Sequence, residues 1–153
     1  MNNTDIFLLN DSSITTSKIL DCNKTTEQYG IIITPGQAAL MSQSQSDALK
    51  KTGRIEFGTG IADKLINAFS PSPYMPQNNY DEFFCELINL FYEFKNETHD
   101  ALTDAETVDF MKSAIDGFCR GSLELLSCKA LSQLARHINS GNSFKTFRYS
   151  TEE

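Results

Sequence analysis

The sequence predicts a mainly α fold of about five helices, the last three forming an antiparallel C-terminal set, with room for a minor two-stranded β element. Three observations carry this. Apolar residues recur at helical spacing over 80–96, 104–120 and 123–139. Capping residues precede these runs: Thr103 with Glu106 three residues on, Asn79 with Glu82, and Ser122. Gly121 and a Ser-Gly-Asn-Ser stretch close the last two, and short connections make consecutive helices neighbours.

Taken in chain order, residues 1–28 read as a loosely ordered segment with one short helix near Ile14 to Cys22. "YGIII" at 29–33 is β-branched and marked by glycine, which suits a strand. "RIEF" at 54–57 would be its partner. Between them, "TPGQ" places Thr34 at an N-cap, Pro35 at the first helical position and Gln37 in a capping box. That helix runs to about Lys51, with Gly53 just beyond. Its apolar stripe (Ala38, Met41, Ala48, Leu49) is thin, so it should stay partly exposed. A short amphipathic helix follows with Ile61, Leu65, Ala68 and Phe69, and "SPSPYMP" must end it. Residues 29–139 form one helical domain in this reading, and 140–153 a flexible tail.

Composition narrows the function classes. The 153 residues carry a formal charge of -7, which repels phosphate backbones and argues against nucleic acid as a partner. Of the four cysteines, no two form a C-x-x-C, so a zinc or thioredoxin-type site is not expected. The N-terminus has no basic region with an apolar run behind it, and no stretch has the length of a membrane span. The expectation is a reduced, cytoplasmic protein with no membrane partner and no cofactor.

The acidic stretch "FYEFKNETHDALTDAE" at 91–106 invites a metal or catalytic reading. Helical geometry argues against it. Glu82, Glu86, Glu93 and Glu97 share a stripe opposite Phe83, Phe84, Leu87, Ile88, Phe91 and Phe94. Glu106 and Asp109 form an E-x-x-D pair, which brings to mind the magnesium-dependent all-α nucleotide pyrophosphatases, but they lie opposite Val108, Met111, Ala114, Ile115 and Phe118. No catalytic group and no metal ligand is assigned. Gly53 and Gly58 have P-loop spacing, but Thr59 stands where the lysine must be. Gly58-Thr59-Gly60 before a helix could hold an anion on free backbone N–H groups, though a tight turn explains it as well. Lys95 and His137 fall on apolar arcs in the last turns of their helices, where a cation complements the dipole. Lys95 could instead reach an acid such as Asp100 or Glu56.

From Tyr29 to about Leu134 the chain resembles an uncharacterised family of small bacterial cytoplasmic proteins, a domain of unknown function. The pieces that carry the resemblance are "YGI", "GRIEFGTGI", "KLINAF", "SPY", "FYEFKNETHDALTDAE" and "GSLELL". It implies one domain in a bacterial cytoplasm and supplies no activity. The function expected from the residues is a non-enzymatic protein-interaction module, with protein partners or self-association, because Phe110 and Leu125 lie off their helices' core arcs. The alternative is a small-molecule or phosphate-binding enzyme, pyrophosphatase-like for example, built from Arg54, Glu56, Lys95, Asn96, Glu97 and Asp100.

Overall fold

The computed structural model describes residues 15–56, 60–76 and 78–149. Six helices occur among them: α1 (15–21), α2 (Pro35–Lys51), α3 (Ala62–Phe69), α4 (Tyr80–Glu97), α5 (Asp104–Asp116) and α6 (123–139). A single helical turn (Asn23–Thr26) and a 3-10 turn (Glu27–Tyr29) connect α1 towards α2. The short helix expected near Ile14 to Cys22 is α1, and it is not loose. Ile19 is fully buried and Cys22 nearly so, both in the common core. The rest of the segment expected to be loose, residues 1–14, lies outside the described residues.

The two longest helices, α2 and α4, lie side by side. Near their N-termini the Tyr80 hydroxyl donates to Gln37 Oε1 at 2.8 Å. Towards their C-termini Lys51 pairs with Glu93 at 2.9 Å. Contacts at like ends mean that the helices run parallel. Thr34 and Gln37 make the expected capping box at the start of α2, and Gly53 (φ 68) follows its end. The thin stripe of α2 is buried at Ala38, Met41 and Ala48, with Ser42 and Gln45 buried beside it. The main neighbour of α4 is therefore α2, while α6 touches both α4 and α5.

No strand occurs among the described residues, so the expected β element is not formed. Residues 31–33 of "YGIII" form no strand, yet their burial alternates: Ile31 and Ile33 are buried and Ile32 is exposed. The segment's hydrogen bonds go to side chains and a turn instead of a partner strand. Asn23 acts as a one-residue strand mimic. Its Oδ1 accepts from Ile33 N at 2.7 Å and its Nδ2 donates to Ile33 O at 2.9 Å. Thr26 takes Ile31 in the same way, through its backbone carbonyl (3.2 Å) and its hydroxyl (2.8 Å). The Tyr80 hydroxyl shares its single proton between Gln37 Oε1 and Ile32 O. Residues 54–56 of "RIEF" are irregular, and Phe57 lies outside the described residues.

Two helix boundaries also differ from expectation. Asn79 sits at the N-cap of α4 with ψ 35, and its side chain makes no cap bond. Thr34 and Thr103, with ψ 160 and 164, have the extended backbone that turns a side chain onto N3. Helix α5 stops at Asp116 rather than near Arg120. Gly117 leaves the helix at φ -112, ψ -101, and the Ser72 hydroxyl binds Asp116 Oδ1 at 2.6 Å. Gly121 (φ 83) then closes the turn, where a Cβ would stand 2.7 Å from Tyr74 Cβ. Helix α6 carries a π-helical segment, Leu126–Leu131, between α-helical Leu123–Leu125 and Ser132–Asn139. A widened turn advances the downstream face, by up to roughly 100° per added residue. This is why His137, placed with Leu123, Leu126 and Ala130 by regular helical arithmetic, is only half-buried.

The residues after Asn139 were expected to be a flexible tail. Through Tyr149 they pack on α5: Phe110 meets Phe144, Phe147 and Tyr149 at 6.2, 5.8 and 6.0 Å between ring centroids. Phe118 stacks on Tyr149 at 5.0 Å. The outward Phe110 is thus covered by its own chain, and Leu125 is partly buried against the core.

Asn23→Ala should lower stability by about 2 kcal/mol, because both backbone groups of buried Ile33 lose their partner. Urea unfolding checks this, and a change below about 0.5 kcal/mol would contradict the strand-mimic role.

Candidate functional site

The charged residues singled out in the sequence gather where three helix ends meet. Helices α2 and α4 end side by side, and α5 begins after the 98–103 connection. Two C-termini present partial negative charge and one N-terminus partial positive charge. The side chains answer in kind: Lys51, Arg54 and Lys95 at the C-terminal ends, Asp104 and Glu106 in the first turn of α5.

Lys95 is the centre. It is 4% exposed, and its stem lies in the apolar arc of α4 with Nζ 5.9 Å from the Phe91 ring centroid. The ammonium donates to Leu102 O at 2.6 Å and to Asp104 Oδ1 at 2.9 Å, and stands 3.8 Å from Asp100 Oδ1. Two of its protons thus have acceptors on the following connection and helix, and Asp100 adds a charge at ion-pair distance. To supply them the chain folds back sharply. His99 (φ 55) and Asp100 (φ 59) are consecutive left-handed residues, a conformation that Asp and His tolerate better than most. Asp100 N donates to Lys95 O at 2.9 Å to close this reversal.

Arg54 approaches from beyond α2. Its Nη1 and Nη2 grip both oxygens of Asp100, at 3.2 and 2.6 Å. The fork is bidentate and joins segments 46 residues apart. Hydrogen bonding from Arg54, helped by its charge and by Lys95, holds the Asp100 carboxyl below its ordinary value of 3.8. The same pairing raises the Arg54 guanidinium.

Behind this surface lies Tyr92, fully buried. Burial and then the Glu56 charge push its phenol far up, so it stays neutral. Its hydroxyl and Arg54 Nε have no partner at hydrogen-bonding distance among the described residues.

Of the six residues proposed from sequence, Arg54, Lys95 and Asp100 are bonded together. Glu56 lies beside them, close enough for its charge to act on Arg54 and Tyr92. Asn96 and Glu97 are not brought in. Both are exposed, and Glu97 contributes a backbone carbonyl that accepts from Asn139 Nδ2 at 3.3 Å. Asp104 and the Leu102 carbonyl were missed. The signal for Asp104 was its place in the first turn of α5, directly after the capping Thr103.

The other sequence leads resolve into structural roles. Glu106, half of the E-x-x-D pair, turns back to accept from Thr103 N at 2.9 Å. At the start of α3, the N–H groups of Ile61 and Ala62 are both taken by Gln45 Oε1 at 3.0 Å. The glycine turn there offers them to α2 rather than to an anion, and Gly60 (φ 74) brings its backbone so close that a Cβ would lie 2.3 Å from Gln45 Nε2. Gly58 and Thr59 lie outside the described residues. Burial pushes the Cys22 and Cys119 thiols up to about 11, so neither is a ready nucleophile. His137 Nε2 donates to Ser143 O at 2.7 Å, which ties α6 to the segment after it. No helix among the described residues is long and apolar enough to cross a membrane.

These features define an all-helical domain whose charged junction is bonded within the chain. Residues 18–144 match DUF6323, a family of unknown function, and the chain belongs to that family. No curated protein and no solved structure matches the chain.

Lys95→Ala should cost about 2 kcal/mol, the loss of a buried stem and its bonds discounted for half-exposed carboxylates. Lys51→Ala should cost less than about 0.5 kcal/mol, since that pair is exposed. Equal losses in thermal unfolding would contradict the central role of Lys95. Acid should act through Asp100. Its folded pKa lies below its unfolded value, so the unfolded chain binds the proton first as pH falls. The stabilisation is complete above the unfolded carboxyl range near 3.8 and disappears as pH drops through the lower folded value. Asp100→Asn keeps a residue suited to φ 59 and should flatten this part of the stability–pH curve; an unchanged acid limb would refute the assignment.

Proposed function

We propose that the protein is a non-enzymatic protein-interaction module. The supporting observation is the contrast between its charged and its aliphatic side chains. The ionic groups at the helix junction answer one another: Arg54 with Asp100, Lys95 with Asp104 and Leu102 O. Meanwhile isoleucines stand in solvent on backbone that is held in place. Ile55 is 84% exposed directly after Arg54, whose guanidinium is clamped to Asp100. Ile32 is 63% exposed, its carbonyl bonded to Tyr80 and both neighbours buried. An exposed aliphatic side chain on a fixed backbone loses little further freedom when it is covered, which favours association. The partner is a protein surface, a second copy of this chain included.

Ile32→Asp and Ile55→Asp should leave the melting midpoint nearly unchanged, because neither side chain is buried. They should abolish association. Light scattering after size exclusion reads self-association, and capture from cells with wild type and variants in parallel reads other partners. A chain that stays monomeric at high concentration and captures nothing that either variant loses would end this reading.

A further inference from the structure

The charge of -7 conceals a segregation. Residues 125–151 contain Lys129, Arg136, Lys145 and Arg148 and no Asp or Glu. Within "FKTFRY" (144–149), cations alternate with aromatics. The structure separates the two kinds. Phe144, Phe147 and Tyr149 turn onto Phe110, while Lys145 and Arg148 are exposed.

The packed segment borders a shallow, open cleft of about 500 Å³ against the end of α6, lined by Gln133, Arg136, His137, Ser140, Phe147 and Arg148. None of these is acidic. The ion pairs among the described residues leave out both Arg136 and Arg148. A helix C-terminus would normally repel an anion, but here its carbonyls are occupied. Ser140 N donates to Arg136 O at 3.0 Å, Gly141 N to Ile138 O at 2.9 Å and Asn142 N to His137 O at 3.2 Å, with Gly141 left-handed at φ 90. His137 is fixed by Ser143 O and stands edge-on to Phe147 at 5.4 Å.

We infer that this cleft binds a small phosphate-bearing anion. Two guanidinium forks match phosphate oxygens, the Ser140 hydroxyl is a further donor at the rim, and Phe147 gives an apolar wall. The site is independent of the interaction surface proposed above. A free polyphosphate and the phosphate chain of a nucleotide share this chemistry, and titration separates them.

Isothermal titration calorimetry with inorganic triphosphate, ATP and hexaglutamate tests the site. Binding of triphosphate, of ATP or of both is expected. Triphosphate binding as tightly as ATP assigns recognition to phosphate; ATP binding more tightly adds the Phe147 wall. Arg136→Gln and Arg148→Gln should each weaken the phosphate ligand about tenfold. Both residues are exposed, so the variants should fold, which circular dichroism verifies. No phosphate binding up to about 1 mM overturns the inference. So does binding that both variants retain in full, or hexaglutamate binding without phosphate binding.

Discussion

Burial of one ammonium group organises the chain between α4 and α5. A lysine at 4% exposure must find acceptors for its protons, because an unpaired buried charge costs several kcal/mol. Lys95 finds them within the next nine residues, at Leu102 O and Asp104, with the Asp100 carboxylate at 3.8 Å as a further counter-charge. Meeting that demand dictates the two left-handed residues, the reversal after Glu97 and the point where α5 begins. The same reversal puts Asp100 where Arg54 can reach it, so the end of α2 is set by the same charge. In the structure the charged cluster forms a joint, in which helix-end dipoles and side-chain charges oppose one another.

The far end of the molecule is built on the opposite principle. There Arg136 and Arg148 take part in no ion pair among the described residues, and aromatic side chains do the holding. Phe110 gathers Phe144, Phe147 and Tyr149, and the exposed Lys145 and Arg148 follow from that packing by alternation. Acidic character dominates the whole chain, yet its longest acid-free stretch ends up around a cleft. Net charge describes the average surface and says little about such a place.

Much of the fold was legible because its signals are local. The capping boxes of Thr34 and Thr103, the Ser122 cap, the glycine after Lys51 and the prolines after Phe69 each depend on a few adjacent residues. The outward glutamates of α4 followed from helical arithmetic. Signals that needed distant knowledge failed. The strand reading of "YGIII" could not foresee that Asn23 and Thr26 side chains would take its backbone bonds. The Asn79 box has the right letters and the wrong ψ. The π turn in α6 has no sequence mark that periodicity detects, so His137 was set on the wrong face. At the candidate site, Lys95 and Asp100 were found because arcs and turns are local. Asp104 was overlooked because a first-turn acid already has a sufficient local explanation. The tail was dismissed as loose because its aromatics have no partner until α5 is in place.

The parallel course of α2 and α4 bears on how the chain assembles. Helices joined by a short turn can zip together as soon as both form. These two cannot, because residues 52–79 must first travel back the length of α2. The contacts that pin them, Gln37 to Tyr80, Lys51 to Glu93 and Arg54 to Asp100, span 43, 42 and 46 residues. Closing such a loop costs entropy before any packing repays it, which raises contact order and slows folding relative to an up-and-down bundle of equal size. Helix α2 has too thin an apolar stripe to persist unaided, so it becomes a lasting helix only when α4 arrives. Lasting helical structure in α2 is thus tied to its docking on α4.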